Sequence, residues 1–172
     1  MNIVSSALGY YEVAGDPADA DVVIGHSFGV LGDVNYGLAR FIINHAEGRP
    51  IVADRMLVDV IEELDGETDI AHTVEGPVSN AAGKGVGTWG TLVEAKDFME
   101  EQGLQRPLMV AQANHIGRVI MQAKKLGMDA IVPADLPNYF DATSAQIWTR
   151  SLALWLPREV LGSAVLRLQK KL

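Results

Sequence analysis

The chain contains no cysteine, and it has few aromatic and few basic residues. Without cysteine it can form neither a disulfide nor a thiolate metal site. Its 14 Lys and Arg residues stand against 22 Asp and Glu residues, which gives a net charge of -8. A protein whose main partner is a nucleic-acid backbone needs a basic surface, so we expect no nucleic-acid partner. A local basic pocket in such an acidic chain would instead favour a small anion.

The sequence also lacks long apolar runs and compact clusters of metal ligands. No apolar run approaches the roughly 20 residues that span a bilayer, so we expect no membrane contact. Residues 1–6 show neither the basic start nor the apolar stretch of a signal peptide, which predicts a cytoplasmic protein. The four histidines are scattered, so no metal site is predicted. The 172 residues, 48% hydrophobic and 21% charged, are typical of one folded domain over 1–172. The sequence makes no prediction about the oligomeric state.

Predicted strands and helices alternate along the chain. Short apolar runs predict strands, and apolar residues at i, i+3 and i+4 predict amphipathic helices. The predicted strands are 21–25, 49–54, 69–75, 107–111 and 130–133. The predicted helices are 34–45, 57–64, 91–103, 115–126 and a last region from 147 that Pro157 interrupts. This alternation predicts an α/β fold, a Rossmann-like three-layer sandwich with a mostly parallel sheet and helices on both faces.

Polar side chains follow nearly every predicted strand. In sheets of this kind ligands bind in the crevice beyond the carboxyl ends of the strands. The residues found there are His26 and Ser27, Asp54 and Arg55, Glu75, Asn114 and His115, and Asp135. We therefore predict a site at this edge of the sheet, with Ser27 and Asp54 among its ligand-binding residues.

The stretch 112–118 is the strongest candidate, because there a strand runs straight into a helix. The first turn of a helix presents unpaired N–H groups and the positive end of the helix dipole. Arg118 lies on the same side of that turn as His115. We predict that Arg118, Asn114 and the N–H groups near His115 bind a phosphate or carboxylate. His115 would then act as general acid or base, with Glu75 as its acidic counterpart. The structural alternative is a plain cap at Asn114 and an Arg118 paired with a surface acid.

The segment 25–29, Gly-His-Ser-Phe-Gly, matches the nucleophile elbow of serine hydrolases. Ser27 would be the nucleophile, with His115 as base and Asp54 or Asp135 orienting it. Only 24 residues precede Gly25, which are too few for the strands and oxyanion loop that usually come before the elbow. The next predicted helix also begins several residues after Ser27, whereas an elbow feeds its helix at once.

The segment 85–90 matches the G-x-G-x-x-G pattern within a glycine-rich loop predicted over 76–90. The pattern does not follow a strand directly, and no acidic residue ends the next strand. Both contexts that would confirm a dinucleotide fingerprint are therefore missing. The loop is open to two interpretations, a lid or phosphate cradle over the site, or a mobile surface connection.

The order of these features resembles the YdcF/SanA-like domain of unknown function, a bacterial family with a Rossmann-like sheet. The matching features run through most of the chain. They are the strand 21–25, the helix and strand 40–53, Glu75, the helix entry at Thr88, His-x-x-Arg at His115 and Arg118, the helix end 124–127 and the closing segment 158–162. The resemblance implies a crevice for a nucleotide-like or phosphorylated ligand, with Thr88 among the binding residues. It also implies S-adenosylmethionine or a nucleotide as a possible cofactor.

Three functions are compatible with the sequence. The leading hypothesis is a protein, with enzymatic activity left open, that binds a small anionic molecule at the strand ends. The second hypothesis is a non-catalytic binding or regulatory module with the same crevice. The third hypothesis is a serine hydrolase that uses Ser27.

Overall fold

A computed structural model describes residues 7–9, 11–30, 32–75 and 87–169 of the chain. Within these residues the strands are β1 (Val22–Gly25), β2 (Ile51–Asp54), β3 (Ile70–Val74) and β4 (Pro107–Val110). The helices are α1 (Asp33–Ala46), α2 (Arg55–Leu64), α3 (Gly87–Gln102), α4 (Ala113–Lys125) and α5 (Leu152–Leu168). Short 3-10 helices cover Pro17–Asp19 and Ile147–Thr149.

The four strands form one parallel sheet in the order β3-β2-β1-β4. Helix α1 packs against α2, and α3 packs against α4. Every residue of β1 and β4 is buried, as expected for strands that helices cover on both faces. The predicted α/β class and Rossmann-like three-layer sandwich are confirmed. No helix of the described ranges is both long and apolar enough to cross a membrane.

The strand order places a topological switch point between β1 and β4. From β1 the chain proceeds outward through β2 and β3, and it then returns to the other side of β1 as β4. The backbone N–H of His26 donates to the carbonyl of Val110 (2.8 Å), which continues the pairing of β1 and β4 beyond both strands. The crevice at such a point is the usual ligand position in open α/β sheets.

Two predicted helix boundaries are wrong. Pro157 lies inside α5 and does not interrupt it. A proline within a helix removes one main-chain hydrogen bond, but Trp155 and Glu159 on either side are buried and hold the helix in place. Helix α3 begins at Gly87 and not at the predicted residue 91. Thr91 lies inside the helix, where its hydroxyl donates to the carbonyl of Gly87. Residues 76–86 of the predicted glycine-rich loop lie outside the described residues.

The predicted strand 130–133 is reduced to isolated bridges. Ile131 forms a parallel bridge with Leu108, and Val132 forms an antiparallel bridge with Ala14. The next residue is Pro133, which has no N–H group with which to continue the pairing.

Candidate functional site

A cavity of about 230 Å³ lies at the carboxyl ends of the strands. Segments 26–29 and 54–56 line it after β1 and β2, and α3, α4, the turn 146–149 and α5 complete its walls. Five of the predicted site residues line this cavity: Ser27, Asp54, Thr88, His115 and Arg118. The strand-end rule predicted three of them, Ser27, Asp54 and His115, and the five together come from four separate segments of the chain.

His115 is a buried, neutral imidazole with a defined proton position. The Nη2 group of Arg118 donates to its Nδ1 (3.1 Å), because a guanidinium has donors only. The proton of the ring therefore lies on Nε2, which faces the hydroxyl oxygen of Thr88 (3.2 Å). Burial, followed by the charges of Arg118 and His26, lowers the pKa of His115 well below its ordinary value. Both ring nitrogens are engaged, so in this arrangement His115 has no free lone pair to act as a base.

Arg118 is held from three sides. Besides His115, its guanidinium lies 5.8 Å from the ring centroid of Trp155, and its Nε is 3.1 Å from Oε1 of Glu159. The acid is itself buried, with a side chain only 3% exposed. Burial raises the pKa of the Glu159 carboxyl. The guanidinium of Arg118 stays positively charged, because arginine is not deprotonated in proteins. The alternative of a surface partner for Arg118 is therefore wrong, since the acid it meets lies in the interior.

The predicted anion site at the backbone N–H groups of α4 is wrong. The N–H of Ala113 donates to the carbonyl of Pro137 (2.9 Å), and the N–H of Asn114 donates to Oε1 of Gln112 (2.7 Å). The next two N–H groups, of His115 and Ile116, both donate to the carbonyl of Gln112. The orphan donors of this helix start are satisfied by the protein itself, so none is left to hold a ligand.

Asn114 is a structural residue and not a cavity residue. It is 2% exposed, and its amide nitrogen donates to the carbonyl of Ala7 (2.9 Å). Its side-chain oxygen accepts from Gln112 (2.8 Å), and its carbonyl accepts from the indole of Trp155 (3.3 Å). The predicted ligand-binding role of Asn114 is not supported, because its side-chain amide is already hydrogen-bonded to Gln112 and to Ala7. Gln112, and not Asn114, is the N-cap of α4.

Glu75 does not meet His115 and does not line the cavity. Its side chain is 65% exposed and forms an ion pair with Arg55, whose Nε lies 3.0 Å from Oε1. The hydrogen bonds from Arg55 lower the pKa of this carboxyl. The predicted pairing of His115 with Glu75 is therefore wrong. The acid that lies nearest to the Arg118 side chain is Glu159.

Ser27 and Asp54 form a unit at the ends of β1 and β2. The backbone N–H of Ser27 donates to Oδ2 of Asp54 (2.7 Å), and the serine side chain lies close to the same carboxyl. Asp54 additionally caps α2 by accepting from the N–H of Leu57 (3.3 Å). Burial raises the pKa of Asp54, although these hydrogen bonds act in the opposite direction.

The geometry around Ser27 differs from a nucleophile elbow. Helix α1 begins at Asp33, six positions after the serine, as the sequence predicted. The N–H of Phe28, which an oxyanion hole would need, donates to Oδ1 of Asn35 (2.8 Å). The serine side chain lies close to the Asp54 carboxyl, whereas a nucleophilic serine needs an imidazole base.

Arg158 and Trp148 are site residues that sequence reasoning missed. Both lie more than 29 residues after Arg118 in the chain. Arg158 opens the closing segment 158–162, but neither residue was predicted to bind a ligand. The Arg158 guanidinium lies 5.5 Å from the Trp148 ring centroid. A Cβ atom at Gly162 would lie 3.0 Å from Nη1 of Arg158 and 3.9 Å from Nη1 of Arg118. Both guanidinium groups therefore approach the same turn of α5.

His26 was noted at its strand end but was not selected as a site residue. It is 2% exposed, lines the cavity, and its Nε2 has no hydrogen-bond partner among the described residues. Burial and the charge of Arg118 lower the pKa of His26 to about 3. The sequence signal was its position directly after β1, which it shares with Ser27.

No group of three His, Asp or Glu side chains in the described ranges is placed to hold a metal ion. Comparison of the chain with family models, with curated proteins and with solved structures finds no match. The function of the cavity is therefore inferred from its own geometry.

Proposed function

We propose that this chain binds a small anionic ligand, phosphorylated or nucleotide-like, in the cavity at the strand ends. The observation that carries the proposal is the charge of the cavity wall. Arg55, Arg118 and Arg158 line the cavity, whereas Asp54 is the only acid among the described lining residues. In a chain of net charge -8 this is a local reversal of sign.

One of these arginines forms no ion pair among the described residues. Arg55 is paired with Glu75, and Arg118 lies against Glu159. Arg158 has no carboxylate within 4.0 Å in the described part of the chain, and it also repels the guanidinium of Arg118. An anion between these two groups would relieve the repulsion and gain charge-assisted hydrogen bonds.

The cavity is small, so it encloses either a small ligand or one part of a larger one. Sites that enclose a whole drug-sized molecule measure roughly 300–1,000 Å³, and this cavity measures about 230 Å³. The resemblance to the YdcF/SanA-like family implies the same ligand class, so nucleotides and S-adenosylmethionine belong in the first binding screen. The general acid or base role of His115 stays a prediction, since it requires His115 to exchange one of its present partners.

Calorimetric titration of the protein with ribose 5-phosphate tests the proposal. We expect saturable binding that weakens about tenfold in Arg158→Ala, since a charge-assisted hydrogen bond contributes about 1.5–3 kcal/mol. Arg167→Ala is the matched control, because Arg167 is an exposed arginine of the same helix that does not line the cavity. Equal affinity in wild type and Arg158→Ala would contradict the assignment of the anion to this cavity.

A binding module without turnover and an enzyme share this geometry. Incubation of the protein with each ligand that binds, followed by product analysis, separates the two. The serine hydrolase hypothesis has less support, because the Phe28 N–H that an oxyanion hole would need is already engaged.

A further inference from the structure

His26 is the buried titratable residue of the cavity for which an anion site alone gives no role. Its backbone N–H, bonded to Val110, fixes it between the ends of β1 and β4. The Nε2 atom of the imidazole is buried without a hydrogen-bond partner among the described residues. Buried polar atoms without partners are rare in folded proteins, and each one requires an explanation. A ligand that enters the cavity is one source of the missing partner.

The surroundings of His26 favour an uncharged polar partner. Burial and the nearby Arg118 hold the pKa of His26 at about 3, so its imidazole is neutral near pH 7. The neighbouring His115 is neutral for the same physical reasons. A neutral imidazole nitrogen donates or accepts one hydrogen bond, which suits a ring nitrogen, an amine or a carbonyl. An anion would be stabilised more by the guanidinium of Arg158 than by this neutral group.

Aromatic side chains line the same cavity. The rings of Phe28 and Trp155 meet edge to face, with their centroids 4.8 Å apart. Trp148 adds a half-buried indole beside Arg158. Apolar and aromatic walls with a few fixed polar groups are typical of sites that orient a flat organic ligand.

We infer that His26 and these aromatic side chains form a second subsite, which takes a flat heterocycle with a hydrogen-bonding edge. The heterocycle is joined to the anionic group that Arg158 binds, so the ligand class is a nucleoside monophosphate or a similar phosphorylated heterocycle. This inference rests on the proposed function, because the anion must bind in the same cavity. It goes further by predicting that a sugar phosphate without a ring base fills only half of the site.

The test compares ribose 5-phosphate with the 5′-monophosphates of adenosine, guanosine, cytidine and uridine. In wild type we expect at least one nucleotide to bind about tenfold more tightly than ribose 5-phosphate. In His26→Phe, which keeps a flat ring but removes both nitrogens, that preference should disappear while the affinity for ribose 5-phosphate stays the same. His72→Phe is the matched control, since His72 is a partly exposed histidine of β3 that does not line the cavity.

A second variant keeps the test informative if His26→Phe does not fold. The amide nitrogen of Gln in His26→Gln reaches the position of Nε2, so we expect it to retain most of the nucleotide preference. The inference fails if ribose 5-phosphate binds wild type as tightly as all four nucleotides, or if the preference survives in His26→Phe. The inference also fails if folded His26→Gln loses the preference completely. Binding of none of these probes to wild type would overturn the proposed function as well.

Discussion

Acidification should destabilise this protein through His26. The pKa of this residue is about 3 in the folded protein, against an ordinary value of 6.5 that applies to the unfolded chain. Between these two values the unfolded chain binds the proton and the folded protein does not. The contribution of His26 to the free energy of unfolding is therefore complete above pH 6.5, and it is lost as the pH is lowered toward 3. One pKa unit corresponds to about 1.4 kcal/mol, so the full effect of this residue is about 5 kcal/mol.

Urea denaturation at pH 7.5 and pH 4.5 measures this contribution. Over this interval linkage predicts that His26 alone removes about 3 kcal/mol from the free energy of unfolding. Other groups also act, since His115 has a lowered pKa and adds to the loss. Asp54 and Glu159 have raised pKa values and oppose it, because they bind protons more readily when folded. The difference between wild type and His26→Gln isolates the contribution of His26.

We expect His26→Gln to lose about 3 kcal/mol less than wild type between the two pH values. His72→Gln, at a histidine whose side chain is 38% exposed, should lose about as much as wild type. If His26→Gln were as acid-sensitive as wild type, His26 would not be the buried neutral group that the structure describes. A buried, neutral His26 at the cavity would then be refuted.

Three further predictions concern the residues around the cavity. Arg118→Met should destabilise the protein by about 3–5 kcal/mol, because it leaves a buried carboxylate unpaired, and adding Glu159→Leu should restore most of that loss in urea denaturation. Asn114→Ala should lower the free energy of unfolding by about 1–3 kcal/mol, with ribose 5-phosphate affinity unchanged by calorimetry. Glu75→Gln should leave the thermal unfolding midpoint unchanged, since its ion pair with Arg55 is exposed, and it should not weaken this affinity, since Glu75 does not line the cavity.

Each of these outcomes has a clear opposite. A double variant at positions 118 and 159 that is no more stable than Arg118→Met would show that the two side chains do not form a coupled pair. Loss of ribose 5-phosphate binding in folded Asn114→Ala would return Asn114 to the binding site. A strong loss of binding in Glu75→Gln would show that this acid contacts the ligand after all.

The sequence predicted the fold and the edge of the sheet that carries the cavity. Apolar runs such as 107–111 and the helical spacing after them depend on local patterns, which sequence shows directly. The strand-end rule then selected Ser27, Asp54 and His115, because parallel strands place their carboxyl ends at one edge. Thr88 and Arg118 were also selected correctly as lining residues.

What the sequence could not predict depends on contacts between distant segments. The N–H groups at the start of α4 were expected to be free, but the carbonyl of Pro137 and the side chain of Gln112 occupy two of them. Arg158 and Trp148 line the cavity because α5 and the turn before it form part of the cavity wall. No periodicity or motif encodes that packing. Glu75 was selected by its place after β3, yet Arg55 was the nearer charge.

The central claim is that Arg158 provides the positive charge of an anion site, and one titration series tests it most directly. Ribose 5-phosphate is titrated into wild type, Arg158→Ala and Arg167→Ala at low and at high salt. The account predicts binding to wild type and Arg167→Ala that weakens with salt, and about tenfold weaker binding to Arg158→Ala. Binding that is equal in all three proteins, or absent from wild type, would contradict it.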